Sequence, residues 1–125
     1  MIAVSDPRDR RHTRVISWLR ENSLPLVTNW LAIGEAYHLL SDDAATARKL
    51  IRWVTGSMLI DERASSDVPR ILEIMEKYED LPADLTDAAL LAMCERRQIR
   101  EIATFDSDFA VYRTKTRATL VNVLA

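Results

Sequence analysis

The sequence predicts an α/β fold, a parallel sheet flanked by helices on both faces. Short apolar runs of strand length alternate along the chain with longer segments of helical period. Only two glycines and four prolines occur among 125 residues, so the connections are expected to be short. Hydrophobic residues make up 48% of the chain. A chain of this length buries roughly two-thirds of its unfolded surface, enough for a true core, and it fits a single domain spanning residues 1–125.

The elements follow in order. Arg8 to Arg20 reads as a helix, with Val15, Trp18 and Leu19 on one face and Asp6-Pro7 as a start signal. Asn22 to Pro25 is a break, and Leu26-Val27-Thr28 a short strand. Trp30 to Leu40 is helical, with Trp30, Ile33, Tyr37 and Leu40 forming one stripe. Asp42 or Asp43 can cap the next helix, which runs to about Thr55-Gly56. Ser57 to Ile60 is a strand that ends at Asp61, and Ser66 to Tyr78 is a helix through Val68, Ile71, Leu72 and Met75. Asp84 to Arg97 is another helix, Ile99 to Phe105 a strand, Ser107 to Tyr112 a short helix, and Leu120 to Leu124 a last strand.

Composition excludes several classes. Charged residues are 29% of the chain, ordinary globular usage, so disorder and collagen-like repeats are ruled out. Lys plus Arg number 17 and Asp plus Glu 19, a net charge of −2. Bulk positive charge therefore does not hold this chain to nucleic acid. One cysteine forms no internal disulfide, and no apolar stretch approaches the roughly 18 residues that span a bilayer. A cytoplasmic protein that does not enter membranes is expected.

Three carboxylates stand in unusual places. Glu35 lies mid-helix with Leu31 and Leu39 at i−4 and i+4, where a solvated glutamate normally has polar neighbours. Asp87 has Ala83 four residues before it and Leu90 and Leu91 after it. Asp106 follows the apolar run Ile102-Ala103-Thr104-Phe105, at the carboxyl end of an expected strand, where ligands gather in open α/β sheets. Simpler readings stand beside these. Asp87 suits the first turn of a helix through the macrodipole. Asp84 can be an N-cap, and Asp106 can cap the short helix after it. If such acids converge they repel, by about 3 kcal/mol for a pair roughly 5 Å apart at an effective dielectric near 20. A proton or a cation must then sit among them, and oxygen ligands with no Cys or His pair nearby favour Mg²⁺ or Mn²⁺ over zinc.

The segments Leu81 to Ala92 and Ile102 to Phe109 together resemble the C-terminal half of PIN-domain ribonucleases, above all the VapC-like toxins of toxin–antitoxin pairs. Pro25 to Ala36 is similar to the segment carrying that family's second acid, and Met75 to Pro82 fits as well. The resemblance covers essentially the whole chain in order. It implies a PIN-like three-layer fold and a metal-dependent endoribonuclease using Mg²⁺ or Mn²⁺. It implies Glu35, Asp87 and Asp106 as catalytic metal ligands, with Asp108 a possible substitute for Asp106. Asp84 becomes an auxiliary acid, and Thr104 a residue holding the Asp106 segment by hydrogen bonding. RNA is the implied substrate, a small VapB-like antitoxin the implied partner, and a homodimer the implied assembly. The chain departs from the family at its start. Family members open with a hydrophobic strand ending in Asp-Thr-Ser or Asp-Thr-Gly, whose aspartate is the first metal ligand. Met1 to Asp9 here resembles the tail of the family's first helix and the loop after it. The expectation is a true start upstream, by a strand of roughly 5–6 residues plus a turn.

Other residues have two readings. The basic runs Arg8-Arg10-Arg11-His12-Arg14, Arg96-Arg97-Arg100 and Arg113-Lys115-Arg117 can meet phosphates or be solvated ends. His38 can serve as a base beside Glu35 or simply lie on the surface. Trp18, Trp30 and Trp53 can stack bases or pack in a core, and Cys94 reads as a small core residue. A non-catalytic binding module, an impaired remnant that keeps an antitoxin-binding surface, is the competing function. A phosphate-binding α/β domain is disfavoured, because Gly34 and Gly56 form no glycine-rich loop.

Overall fold

In a computed structural model of the chain, residues 1–81 and 83–125 are described. Pro82, within the Leu81–Ala92 motif, lies outside them. The chain divides into two compact units, Met1–Asp61 and Glu62–Ala125.

The first unit opens with a short helix, α1 (Ile2–Ser5), followed by α2 (His12–Glu21). Helix α2 begins four residues later than the apolar spacing suggests. The Asp6 carboxylate accepts from the Arg8 amide at 3.0 Å and that of Asp9 from the Arg11 amide at 2.8 Å, so Asp6–Arg11 folds as turns. Strand β1 (Leu26–Asn29) leads directly into α3 (Trp30–Leu39), because Asn29 Oδ1 accepts from the Ala32 amide at 3.0 Å and caps the helix. Helix α4 (Ala44–Ser57) is capped by Asp43 in the same way, at 3.2 Å to the Thr46 amide. It ends in β2 (Met58–Asp61), which runs parallel to β1 in the register Leu26↔Met58 to Asn29↔Asp61.

Ile33, Ala36 and Leu40 pack with Ala47, Leu50 and Val54 into one core, against which Met1, Ile2, Trp53, Met58 and Ile60 also lie. The α3 stripe is therefore Ala32-Ile33-Ala36-Leu40. Trp30 and Tyr37, expected on it, are 50% and 43% exposed. The apolar surface of α3 is wider than one face can bury, and small alanines let α4 approach closely while the large rings stay outside.

In the second unit α5 (Ala64–Lys77) packs against α6 (Leu85–Arg97). Helix α6 buries Ala88, Ala89, Leu91, Ala92, Met93 and Cys94, a nearly continuous apolar wall. It stops at Gln98, which takes the left-handed conformation (φ 57°) that usually closes a helix. Two ion pairs tie the helices: Arg96 to the buried Asp67, with bonds of 2.8 and 2.9 Å, and Arg70 to Glu95 at 2.8 Å.

Strand β3 (Glu101–Ile102) pairs in parallel with β4 (Val121–Asn122), Glu101↔Val121 and Ile102↔Asn122. Both are shorter than the expected runs Ile99–Phe105 and Leu120–Leu124. The Asn122 side chain is the cause. Its Oδ1 accepts from the Thr104 and Leu124 amides at 3.3 and 3.0 Å, and its Nδ2 donates to the Thr104 carbonyl at 3.0 Å. Backbone groups that would extend the ladder are satisfied by this amide instead. A short 3₁₀ helix covers Ser107–Ala110, where a helix to Tyr112 was expected. Both sheets are parallel, and helices separate the strands in sequence, as an α/β chain requires. No helix among the described residues is long and apolar enough to cross a membrane.

Candidate active site

In the second unit the chemistry gathers where α6 begins. Asp84 is the N-cap, with Oδ1 accepting from the Asp87 amide at 2.9 Å. The simpler reading of Asp84 is thus realised, and the cap sets Asp87 in the first turn. Asp87 is half-buried. The Tyr112 hydroxyl donates to its Oδ2 at 3.2 Å. Tyr112 is buried, 1% exposed, with its ring edge-on to Tyr78 and Phe109 at 5.1 and 5.2 Å between centroids. Tyr78 is held in turn, its hydroxyl accepting from the Arg113 amide at 2.8 Å. Burial first, then the negative charge of Asp87 and its hydrogen bond, then Asp108 and Asp106, push the Tyr112 phenol far above its ordinary range. Tyr112 therefore stays a protonated donor at every physiological pH, and three carboxylates act on its one hydroxyl.

The segment carrying two of those acids is built from side-chain-to-backbone bonds. Thr104 Oγ1 accepts from the Asp106 amide at 3.0 Å, and Asp106 Oδ1 accepts from the Asp108 amide at 2.9 Å, capping the 3₁₀ helix. Asp106 is exposed and Asp108 half-buried. Asn122 fixes Thr104 from the other side.

In the first unit Glu35 is exposed on α3. Its apolar neighbours do not enclose it, since Leu31 is half-buried and Leu39 is 62% exposed. His38 is exposed as well. At the carboxyl ends of β1 and β2 the buried residues become polar: Thr28, Asn29 and Asp61. Thr28 Oγ1 is buried with no hydrogen-bond partner among the described residues.

Among the described residues, no group of three or more His, Cys, Asp or Glu side chains is gathered closely enough to hold a metal ion. In kind the donors fit a hard divalent cation, since Asp87, Asp106 and Asp108 offer only carboxylate oxygen and the one cysteine is buried, its thiol pushed up to about 11 by burial.

The basic runs are partly committed to the protein itself. Arg8 and Arg11 pair with Asp6 and Asp9, Arg96 with Asp67, and the Arg113 guanidinium with the carbonyls of Ala110, Val111 and Tyr112. Trp53 packs against the core, Trp18 is half-buried and Trp30 is exposed.

Two residues of this neighbourhood escape sequence reasoning, Tyr112 and Asn122. Each left a faint signal. Tyr112 follows the aromatic Phe109 by one turn of helix, directly behind the two aspartates. Asn122 is the one amide inside an apolar run, where an unsatisfied polar group would be costly.

The chain belongs to the PIN domain family, which it matches over residues 1–115. The fold is shared with VapC20 of Mycobacterium tuberculosis, described as a toxin that cleaves the sarcin–ricin loop: the TM-score is 0.77 at 17% identity, over 88% of this chain and 87% of that one. No protein of curated function matches in sequence.

Proposed function

We propose that this protein is a metal-dependent endoribonuclease, the toxin of a toxin–antitoxin pair. The observation that carries the reading is the Asp87–Tyr112–Asp106/Asp108 arrangement of the second unit, in a chain of the PIN domain family. Glu35, Asp87 and Asp106, with Asp108 beside it, are the residues proposed to hold Mg²⁺ or Mn²⁺. When bound, such an ion makes a water nucleophilic near neutral pH and offsets charge on the phosphodiester. The chain's own residues prepare the place. The Asp84 cap sets the backbone of Asp87, and Thr104 with Asn122 holds the turn that presents Asp106 and Asp108. The exposed Arg10, Arg100, Lys115 and Arg117 are the cations offered to RNA phosphates. A VapB-like antitoxin is the proposed partner and a homodimer the proposed assembly.

Cleavage of RNA in Mg²⁺ or Mn²⁺, with the sarcin–ricin loop as the first substrate, tests this. EDTA or Asp87→Asn is expected to lower the rate by at least about 100-fold. Activity that survives both refutes the assignment. A second reading is favoured by the lack of any three-acid group among the described residues: an impaired PIN domain that binds an antitoxin without cutting RNA. Antitoxin binding with no cleavage in either metal selects it.

A further inference from the structure

We infer that Tyr112 is the positioning residue of the acidic site, fixing the Asp87 carboxylate relative to the turn that carries Asp106 and Asp108. The inference rests on the metal-site reading above and goes beyond it by assigning a non-acidic residue to the site.

Three observations support it. Tyr112 joins two segments far apart in sequence: its hydroxyl bonds Asp87 Oδ2 in α6 at 3.2 Å, while its own amide bonds the Asp108 carbonyl at 3.2 Å. One residue thus spans from Asp87 to the turn that carries Asp106 and Asp108. The ring cannot wander, since it is 1% exposed and wedged edge-on between Tyr78 and Phe109. A tyrosine has two side-chain torsions, so a locked ring delivers its hydroxyl to one point. A hydroxyl held at one point bonds one carboxylate oxygen and so favours one rotamer of Asp87. Packing alone does not require the oxygen, because a phenylalanine would fill the same space. A buried hydroxyl aimed at a carboxylate is the kind of outer contact that orients metal ligands.

Tyr112→Phe keeps the ring and deletes the contact. Arg96→Ala breaks the ion pair with Asp67 at the other end of α6 and leaves the hydroxyl in place. The protein and both variants are titrated with Mn²⁺ by calorimetry, melted, and assayed for RNA cleavage. Tyr112→Phe is expected to weaken Mn²⁺ binding by about 10- to 100-fold with a melting midpoint close to that of the parent. Arg96→Ala is expected to melt earlier with Mn²⁺ affinity unchanged. Equal Mn²⁺ affinity in Tyr112→Phe and the parent overturns the inference, as does an equal loss in Arg96→Ala. If the parent binds Mn²⁺ and loses it through Tyr112→Phe but cuts no RNA, the nuclease reading fails and the positioning role stands. If the parent binds no Mn²⁺, both fall.

Discussion

The two units are stabilised by different means. In Met1–Asp61 most side-chain hydrogen bonds are local, as in Asp6 to Arg8, Asn29 to Ala32 and Asp43 to Thr46, with His12 Nδ1 to the Ala3 carbonyl and a 3.7 Å ion pair of Arg8 with Asp43 reaching farther. Between its helices, packing is apolar, with Ala47, Leu50 and Val54 fully buried. In Glu62–Ala125 side-chain bonds reach across 18 to 35 residues: Thr104 to Asn122, Asp87 to Tyr112, Asp67 to Arg96, Tyr78 to Arg113. Apolar burial is roughly additive and indifferent to direction. Hydrogen bonds and ion pairs are directional and fail when one partner is lost. The second unit therefore fixes Asp87 and the Asp106 turn by directional bonds, whereas Glu35 of the first unit stands on a helix held by an apolar core.

Substitutions can break this contrast or sharpen it. The largest effect is expected from Leu50→Ala, which removes a side chain with no solvent exposure. A loss of about 3–5 kcal/mol in urea unfolding is expected from the transfer and cavity terms together. A loss below about 1 kcal/mol would mean the first unit does not depend on that core. Next comes Arg96→Ala, which leaves the buried Asp67 without the guanidinium it accepts from at 2.8 and 2.9 Å. Both side chains keep some solvent contact, so about 2–3 kcal/mol is expected. The double variant Asp67→Asn with Arg96→Ala should recover part of it, and additive losses would show that the pair is not coupled. The smallest effect is expected from Asn29→Ala, which removes the α3 cap and costs about 1–2 kcal/mol. Because that bond is local, α3 and the Glu35 it carries should stay folded, and the cleavage rate should fall far less than in Asp87→Asn. A rate loss as large as that of Asp87→Asn would mean that the cap itself holds Glu35 in its working position.

Much of the architecture was readable from periodicity. The helices α3 to α6 and the strands β1 and β2 lie within a few residues of the apolar patterns, and Asp43 and Asp84 cap as their positions suggest. Where the reading failed, a side chain had taken over backbone hydrogen bonds: Asp6 and Asp9 delay α2, and Asn122 cuts β3 short. Such competition depends on groups that are distant or conformationally free in the unfolded chain, so a pattern of apolar residues carries no trace of it. The acids were conspicuous for their neighbours, yet Glu35 proved exposed because Leu39, one turn on, is itself at the surface.

The linear order of residues therefore determined the kinds of element, their caps and which carboxylates stood out, since all of these depend on interactions within a few residues. Only folding in three dimensions decided that the phenol of Tyr112 meets Asp87, and that an asparagine near the C-terminus secures the Asp106 turn. Contacts between residues 18 to 25 positions apart arise when packed helices and strands bring them together, and no local preference encodes them.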